Sequence, residues 1–498
     1  MATEHVDVLI VGAGLSGIGA ARHLQQECPN KSYAILEGRS AVGGTWDLFR
    51  YPGIRSDSDM YTLGYNFRPW TNKKAIADGS DIRQYVKDAA KEYGIDQQIR
   101  FNHLVKDSSW SSETSQWTVK AEHNGKSVTF TCNFLMMCSG YYRYDKGYTP
   151  DFPGLDQFKG QVVHPQHWPE DLDYNGKKVV VIGSGATAIT LIPSMTDKAA
   201  HVTMLQRTPT YVLSIPGNDA LANGMRKFLP EKLAYRLTRV KNVSLATFLY
   251  ELSRRRPEFV KKIIRTQQRA LLGKDFDIDK HFTPPYNPWD QRMCIVPNGD
   301  LYKALRKGKA SIATDHIDTF TANGIKLKSG EVLEADIVIT ATGLDLVALG
   351  NTNMSVDGEK VVPANHFSYK GMMLSDVPNM VSVIGYTNAS WTLKADLTSE
   401  YTCRLINHMD KNGFTYCAPR NTHGEEAAAP LLDLSSGYVQ RSIDQFPKQG
   451  NEAPWKVYQN YALDLMKMRH SSVVDEFMEF GKSAKKSSKE KSRERLAS

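Results

Sequence analysis

Short runs of apolar and β-branched residues recur along the chain, and longer stretches with helical spacing separate them. The runs cover residues 6–11, 32–36, 134–137, 178–182, 201–205 and 336–340. Strands that alternate with helices in this way are typical of α/β proteins with parallel sheets. Two of the runs lead directly into glycine-rich turns, which indicates a ligand-binding edge on each of two sheets.

The first glycine-rich turn has the spacing of a dinucleotide fingerprint. Gly12, Gly14 and Gly17 follow the run at 6–11 and open a helix. The first glycine permits a tight turn, the second lets the backbone approach a pyrophosphate, and the third allows the helix to pack on the strand. Glu37 ends the next strand, 20 residues beyond Gly17. An acid there accepts hydrogen bonds from ribose hydroxyls and repels a 2′-phosphate. This unit is therefore predicted to hold the ADP half of FAD or NAD.

A second glycine pair distinguishes between these two cofactors. Gly43 and Gly44 allow the chain to pass close to a ring system, and Trp46 can stack or pack beside that ring. The segment therefore favours FAD over NAD at the first site.

The second glycine-rich turn repeats the fingerprint but is followed by a different residue. Gly183, Gly185 and Ala188 come after the run at 178–182, and alanine is tolerated at the third position. The next strand leads to Arg207 instead of an acid. Because a guanidinium can pair bidentately with a 2′-phosphate, this unit is predicted to bind NADPH.

The strand pattern stops between residues 211 and 289, where 225–243 and 251–272 show helical spacing. The predicted fold is therefore α/β, with two Rossmann-like dinucleotide-binding domains, for FAD and NADP, and a helical insertion in the NADP domain. We expect the FAD domain to comprise 1–142 and 366–498, the NADP domain 143–210 and 290–365, and the insertion 211–289. Residues 482–498, rich in Lys, Ser and Arg, are predicted to form a disordered tail.

The net charge of +8 is unevenly distributed along the chain. Residues 221–274 contain 14 Lys and Arg against three acids, which gives this segment a net charge of +11. Two interpretations stay open, a solvated helical face or a peripheral contact with an anionic membrane surface. No nucleic-acid-binding module accompanies the charge, so nucleic acid is not expected as a partner.

The six cysteines form no C-x-x-C pair, and the histidines are scattered, so neither a redox dithiol nor a metal site is predicted. No segment approaches the ~20 apolar residues of a membrane span, and the first strand begins too close to Met1 for a cleavable signal. A cytoplasmic location is therefore expected. With no dithiol to reduce, a flavin here would pass its electrons to oxygen or to an external acceptor.

The segment between the two fingerprints carries the pattern Phe158-x-Gly160-x-x-x-His164-x-x-x-Trp168. It resembles in full the signature of type I Baeyer–Villiger monooxygenases. Flavin-containing and N-hydroxylating monooxygenases have a related pattern that ends in another aromatic residue, so Trp168 favours the Baeyer–Villiger branch. Residues 43–59, 286–294 and 385–396 extend the resemblance, which runs from the N-terminus to about residue 469.

The resemblance implies an enzyme that uses FAD, NADPH and O2 to convert small apolar ketones to esters or lactones through a C4a-peroxyflavin, and that also oxidises sulfur in sulfides or thioamides. Arg292 matches the active-site arginine of the family, and Asp57 would orient it. His164 and Trp168 would couple domain movement to NADP binding without touching the substrate. Two alternatives stay open: a flavin monooxygenase acting mainly on sulfur or nitrogen, and a membrane-associated flavoprotein that passes electrons to a partner.

The resemblance also implies cofactor contacts position by position. On the FAD side they are Ser16, Glu37, Thr45, Trp46, Asp57 and Val105. On the NADP side they are Arg55, Asp57, Gly183, Ser184, Gly185, Ala186, Thr187, Ala188, Ile189, Arg207 and Thr208. Gln291 stands where most relatives have a lysine, which puts more of the NADPH selectivity on Arg207. Tyr386 stands where many flavoproteins have an acid at the ribityl chain of FAD.

Overall fold

The computed structural model describes residues 3–422, 429–432 and 434–483, so the predicted tail lies outside the described residues except for its first two. All six runs that were predicted as strands form strands or parts of strands. They belong to two larger sheets. In each sheet, a central strand leads into a glycine turn and then into a helix. The predicted α/β fold is confirmed.

The first sheet has nine strands and contains the first fingerprint. Its strands are Glu4–Val11, Tyr33–Leu36, Ile99–Arg100, Leu104–Ser111, Gln116–His123, Lys126–Met137, Asn353–Val356, Glu359–Lys360 and Met380–Ser382. The first of them lies between the second and the sixth and pairs with both in parallel. Val8, Leu9 and Ile10 are buried on both faces, as expected for a central strand covered on two sides.

The second sheet has five strands and is parallel throughout. Its strands in spatial order are Ala310–Thr314, His201–Gln206, Lys178–Ile182, Ile337–Thr340 and Gln161–Val163. The second fingerprint follows the central strand of this order, so both glycine turns lie at the carboxyl end of a central strand.

Smaller sheets complete the β-structure of the described residues. One has three antiparallel strands, Ile317–Thr321, Gly324–Leu327 and Val332–Glu334. The others are the pairs Val212–Ile215 with Cys294–Pro297, Ser368–Tyr369 with Met373–Leu374, Tyr416–Pro419 with Met478–Gly481, and Ala429–Pro430 with Lys448–Gln449.

The α-helices of the described residues are Leu15–Glu27, Thr45–Leu48, Met60–Leu63, Gly79–Glu92, Ala186–Met195, Ala220–Phe228, Glu231–Arg255, Pro257–Leu272, Ile278–Phe282, Asp300–Arg306, Trp391–Asn412, Gly437–Gln440 and Tyr461–Asp464. Four of them lie between 220 and 282, where helices were predicted. None is both long and apolar enough to cross a membrane.

The structure shows three features of residues 211–289 that the sequence analysis did not predict. The stretch 225–243 is divided at Pro230, and 251–272 is divided at Pro257, because proline starts a helix readily but cannot continue one. Residues 212–215 form a strand that pairs with Cys294–Pro297, so the insertion is not helical from its first residue. This pairing ties the start of the insertion to the segment that follows Arg292.

Residues shortly before the predicted boundary at 365 pair with the first sheet. Residues 353–360 form a hairpin whose first strand pairs in parallel with Leu104–Ser111, so they belong to the first sheet and not to the second. Asp357 and Gly358 at its turn both have positive φ, 49° and 91°. An Asp-Gly pair is a strong hairpin signal that the sequence analysis did not use.

All six cysteines lie in the described residues, and each is buried and free. Burial raises the pKa of the thiols of Cys132, Cys138, Cys294 and Cys417, to about 12 for Cys138 and Cys417. The described residues contain no group of His, Cys, Asp and Glu able to hold a metal ion.

A buried ionic network joins the first helix to Trp391–Asn412. The ring of His23 hydrogen-bonds to Glu27 (3.0 Å) and Asp396 (3.4 Å), and Arg239 contacts the same Asp396 carboxylate at 3.2 Å. Burial by itself lowers the pKa of His23, but the hydrogen bonds to Asp396 and Glu27 outweigh it and raise the pKa to about 9.

This network makes stability depend on pH in a defined direction. Because the pKa of His23 is higher in the folded protein than the ~6.5 of the unfolded chain, its contribution is complete below pH ~6.5 and is lost as the pH rises through about 9. We expect the loss of unfolding free energy in His23→Gln to be about 3 kcal/mol larger at pH 6 than at pH 10. Denaturant titrations of both proteins at the two pH values measure this, and an equal gap at both would contradict it.

Candidate functional site

One cavity of about 1400 Å³ is lined by both glycine turns. It exceeds the ~300–1,000 Å³ of an ordinary ligand pocket, which fits more than one ligand group. The predicted residues that line it are Gly12, Gly14, Ser16, Glu37, Thr45, Trp46, Arg55, Asp57, Val105, Gly183, Ser184, Gly185, Ala186, Thr187, Arg207, Thr208 and Arg292. The predicted residues outside its lining are Gly17, Ala188, Ile189, Phe158, Gly160, His164 and Trp168.

The first glycine turn is built by close packing of the chain on itself. Gly12 has φ +105°, and a Cβ there would lie 2.6 Å from the carbonyl oxygen of Cys138. A Cβ on Gly17 would lie 1.9 Å from the carbonyl oxygen of Gly12. These two glycines therefore serve the fold, and they place the start of helix Leu15–Glu27 against the cavity, where free backbone N–H groups attract an anion.

Glu37 lies at the edge of this turn and is buried. Its carboxylate accepts hydrogen bonds from the backbone N–H groups of Ala13 (2.7 Å) and Arg39 (2.9 Å). Burial raises the pKa of Glu37, and the two backbone donors act in the opposite direction. A buried carboxylate that is held by backbone donors and lines the cavity fits the predicted role as an acceptor for ribose hydroxyls.

The second glycine turn differs because its middle glycine faces open space. A Cβ on Gly183 would lie 2.3 Å from the carbonyl oxygen of Ala341, whereas a Cβ on Gly185 would meet no protein atom within 4 Å. Gly185 is also extended, with φ −78° and ψ −177°, which any residue adopts. The protein itself therefore does not need glycine at 185, which fits a bound phosphate approaching the backbone there.

This contrast yields a prediction for Gly185→Ala. The added methyl group should leave the melting temperature unchanged within about 1 °C but raise the KM for NADPH roughly tenfold or more, because it separates the phosphate from the backbone donors. Gly224→Ala is the matched control, since a Cβ there also meets nothing within 4 Å and the residue lies outside the cavity lining. Equal NADPH kinetics in the two variants would contradict the assignment.

Arg207 is exposed, lines the cavity and makes no ion pair with any described residue. Its guanidinium is therefore available to a phosphate. The Oγ of Ser184 donates a hydrogen bond to the carbonyl of Thr208 at 2.9 Å. This bond fixes the segment that carries Arg207 and Thr208.

Arg292 and Asp57 meet in the cavity wall although they are far apart in sequence. The Nε of Arg292 lies 3.6 Å from Oδ2 of Asp57, and 38% of the Arg292 side chain stays exposed. Burial raises the pKa of Asp57, and Arg292 and Arg55 lower it. Burial opposes the charge of Arg292, but Asp57 and nearby tyrosines outweigh it and raise the pKa of the guanidinium, which keeps it cationic.

The neighbouring charges leave the Arg292–Asp57 pair undisturbed. Asp290, the acid next to Arg292 in sequence, pairs instead with Arg254 at 2.7 Å. Arg55 donates from Nη1 to Asp300 at 2.6 Å, while its Nη2 is buried without a hydrogen-bond partner among the described residues. A buried unpaired donor in the lining of a cavity indicates a ligand group that would accept its hydrogen bond.

The four motif residues between 158 and 168 lie behind the cavity. The Nε2 of His164 donates to the carbonyl of Gly343 (3.3 Å), while its Nδ1 accepts from the backbone N–H of Gln166 (3.2 Å). Gly343 lines the cavity, so His164 holds a segment of its wall in place. A Cβ on Gly160 would lie 2.3 Å from the carbonyl oxygen of Asp336, which explains the glycine by packing.

Sequence reasoning missed an aromatic part of the wall. The rings of Tyr141 and Trp391 stack at 5.0 Å with an interplanar angle of 9°, and Trp391 donates from Nε1 to Oγ of Ser16 at 2.8 Å. Arg441 and Tyr438 also line the cavity. None of these four residues belongs to a recognisable motif, although Trp391 falls within the stretch 385–396.

A buried acid, Asp464, lies behind Tyr386. Tyr386 lines the cavity and donates from its hydroxyl to Asp464 at 2.7 Å, and Lys394 contacts the same carboxylate at 2.7 Å. Asp464 thus reaches the cavity only through Tyr386. It lies in a short helix far along the chain, and no sequence signal pointed to it.

Family models match most of the chain. The model described as "Flavin-binding monooxygenase-like" matches residues 70–407, and the model described as "NAD(P)-binding Rossmann-like domain" matches residues 10–72. The second match gives the fold around the first glycine turn, and the preference for FAD there rests on Glu37 and the segment 43–46. The two models together confirm the predicted pairing of a flavin with a nicotinamide dinucleotide.

Curated relatives match along nearly the whole chain. The FAD-containing monooxygenase EthA of Mycolicibacterium smegmatis is 54% identical over 481 residues, which cover 96% of this chain and 98% of that protein. EthA of Mycobacterium tuberculosis is 53% identical with the same coverage. The probable FAD-binding monooxygenase AlmA of an Acinetobacter species is 52% identical over 482 residues, covering 96% of this chain and 97% of that protein.

Solved structures share the fold. Oxidised steroid monooxygenase bound to NADP matches with a TM-score of 0.75 at 20% identity, covering 96% of this chain and all of that one. The open form of cyclohexanone monooxygenase matches with a TM-score of 0.72 at 20% identity, covering 84% of this chain and 90% of that one. The chain therefore belongs to the flavin-binding monooxygenase-like family and is a flavin-dependent monooxygenase similar to the EthA-type enzymes.

Proposed function

We propose that the chain is a Baeyer–Villiger monooxygenase that holds FAD at the first glycine turn and NADPH at the second. The observation that carries the proposal is the position of Arg292. This permanently charged side chain, held by Asp57, lies in the wall of the single cavity that both glycine turns line.

The other lining residues support the same division of cofactors. The buried Glu37 suits a ribose without a 2′-phosphate, and the uncommitted guanidinium of Arg207 suits a ribose with one. The open space in front of Gly185 and the unpaired Nη2 of Arg55 provide for ligand groups near the second turn. The stacked pair of Tyr141 and Trp391 forms an apolar wall that restricts water.

Bound FAD, once reduced by NADPH, supplies the chemistry that activates O2. The balanced reaction takes a ketone, O2, NADPH and a proton to an ester or lactone, water and NADP⁺. When the carbonyl carbon is attacked, negative charge develops on the carbonyl oxygen of the ketone. The guanidinium of Arg292 is a cation that is already in place, so it stabilises that charge without reorganising during the reaction. Asp57 orients the guanidinium and balances its charge before substrate binds.

The test is incubation of the FAD-loaded enzyme with NADPH, ¹⁸O2 and a panel of linear, cyclic and aryl ketones together with sulfides. We expect esters or lactones that carry one ¹⁸O atom in the ring or chain position next to the former carbonyl carbon. Omission of O2 provides the control for each substrate.

Two other outcomes would identify the alternatives. Sulfoxides as the only labelled products, with every ketone unchanged, would replace the proposal by oxidation of heteroatoms. NADPH oxidation that continues without O2 when an artificial electron acceptor is present, with no labelled product from any substrate, would replace it by electron transfer to a partner.

A further inference from the structure

The helical insertion carries a surface that is both apolar and basic. Ten large hydrophobic side chains between 221 and 263 are exposed, and we call them the insertion patch: Leu221, Phe228, Leu233, Leu237, Val240, Leu245, Phe248, Leu249, Phe259 and Ile263. Phe228 is 87% exposed and Phe248 is 61% exposed. Single exposed hydrophobic residues are ordinary, but a concentration of this kind marks an interaction site.

The long helix Glu231–Arg255 explains why these side chains are exposed. Its first half buries Ala234, Tyr235, Thr238 and Arg239 against the rest of the chain. Leu233, Leu237 and Val240 follow one another at intervals of four and three residues, so they form a stripe on the opposite side of the helix. An amphipathic helix in a globular protein turns its polar side to solvent, whereas here the solvent side carries this apolar stripe beside the exposed Lys232 and Arg236.

The next part of the same helix is exposed on more than one side. Leu245, Phe248 and Leu249 are exposed at 51%, 61% and 44%, and Ser244 and Ala246 between and beside them are exposed as well. Positions 245, 248 and 249 share one face of the helix, but no residue from 241 to 252 is buried, which means that this part of the helix projects from the body of the protein. An apolar segment that projects in this way fits insertion into an apolar phase.

Uncommitted cations accompany the patch. Lys227, Lys232, Arg236, Arg256 and Lys262 are exposed and make no ion pair with any described residue. Other cations of the insertion are neutralised within the protein, as Lys261 is by Glu258 at 2.7 Å. The segment 221–274 as a whole carries a net charge of +11. By charge, these free cations favour an anionic partner.

The patch adjoins the segment that carries Arg292. The ring of Tyr250 packs edge-on against Trp289 with centroids 5.5 Å apart, and Arg254 pairs with Asp290 at 2.7 Å. The helix that projects is thus linked by two contacts to the residues immediately before Arg292.

We propose that the insertion patch docks on the surface of an anionic lipid bilayer. Its apolar side chains enter the interface while the free lysines and arginines meet lipid phosphates. A second copy of the chain is a poorer occupant, because a symmetric contact would bring the free lysines and arginines of two insertion patches together. Nucleic acid would satisfy the cations but not the exposed leucines and phenylalanines. The proposal does not depend on which substrate is oxidised.

Sedimentation of the FAD-loaded protein with vesicles tests the proposal. We expect binding to vesicles of phosphatidylglycerol and phosphatidylcholine, little binding to phosphatidylcholine alone, and release by high salt. The triple variant Leu245→Ser, Phe248→Ser, Leu249→Ser and the triple variant Lys232→Gln, Arg236→Gln, Lys262→Gln should each lower the partition coefficient at least tenfold. The matched control Val332→Ser, Val474→Ser removes side chains that are 52% and 49% exposed elsewhere.

All the substituted side chains are exposed or partly exposed, so each variant is expected to fold. The absorbance of bound flavin checks this for each variant. Equal sedimentation of the parent, both triple variants and the control would overturn the proposal, as would equal binding to both kinds of vesicle. Light scattering without lipid provides a third outcome. A parent protein that is oligomeric, and that becomes monomeric in the serine variant, would show that a second copy covers the patch, and it would also overturn the proposal.

Discussion

Replacing Arg292 by alanine is expected to reduce ester formation by about 10²–10³-fold while NADPH oxidation continues within a few-fold of the parent rate. The reduction follows from the loss of a fixed cation at developing negative charge. NADPH oxidation continues because Arg292 is not among the residues predicted to bind the phosphates of NADPH. Electrons that no longer enter product should then appear as hydrogen peroxide. Product analysis, NADPH absorbance and a peroxide assay on one reaction measure the three quantities together.

Two further variants show whether the effect belongs to Arg292 itself. Arg255→Ala is the control, since Arg255 also pairs with an acid, Glu251, but does not line the cavity. It should retain parent yields. Arg292→Lys keeps the charge without the planar guanidinium and should fall between the parent and the alanine variant. Unchanged ester yield in Arg292→Ala would show that Arg292 does not serve the reaction.

Arg207→Ala is expected to lower the preference for NADPH over NADH by roughly 10–100-fold. Arg207 directly follows the strand His201–Gln206, and its guanidinium is exposed. A charged hydrogen bond to a 2′-phosphate contributes about 1.5–3 kcal/mol. Gln291 is uncharged and cannot supply a second cation. The ratio of kcat/KM for the two cofactors is the measured quantity, and kcat/KM with NADH should stay nearly constant.

Lys309→Ala provides the control for this experiment. Lys309 is an exposed cation at the edge of the same sheet, pairs with Asp197 at 3.4 Å and does not line the cavity. Its loss should leave the cofactor ratio unchanged. A ratio that is equally unchanged in Arg207→Ala would mean that another group recognises the 2′-phosphate, and Arg55 would be the next residue to replace.

Much of the fold was predictable because its signals are local. The runs at 6–11 and 178–182 are apolar on both faces, as buried parallel strands must be, and each leads into glycines with a fixed spacing. The position of Glu37 near the first turn and of Arg207 near the second was predictable for the same reason. Each residue directly follows the strand that lies beside the strand of its turn.

The parts that were not predictable depend on contacts between distant segments. Asp464 meets Tyr386 across 78 positions of sequence, and Trp391 meets Ser16 across 375. No residue pattern near Asp464 distinguishes it from an ordinary surface acid. The approach of Arg292 to Asp57 was inferred from family resemblance, since spacing alone offers no reason for the two to meet.

The burial of two cysteines affects their reactivity in a cavity where oxygen is activated. Cys138 and Cys294 both line that cavity, and Cys294 is two residues from Arg292. Burial raises the pKa of both thiols, so they remain protonated at neutral pH. Peroxides react with the thiolate and hardly with the thiol. The apolar packing that builds the cavity wall thus also keeps these two thiols in the form that reacts slowly with any peroxide released during turnover.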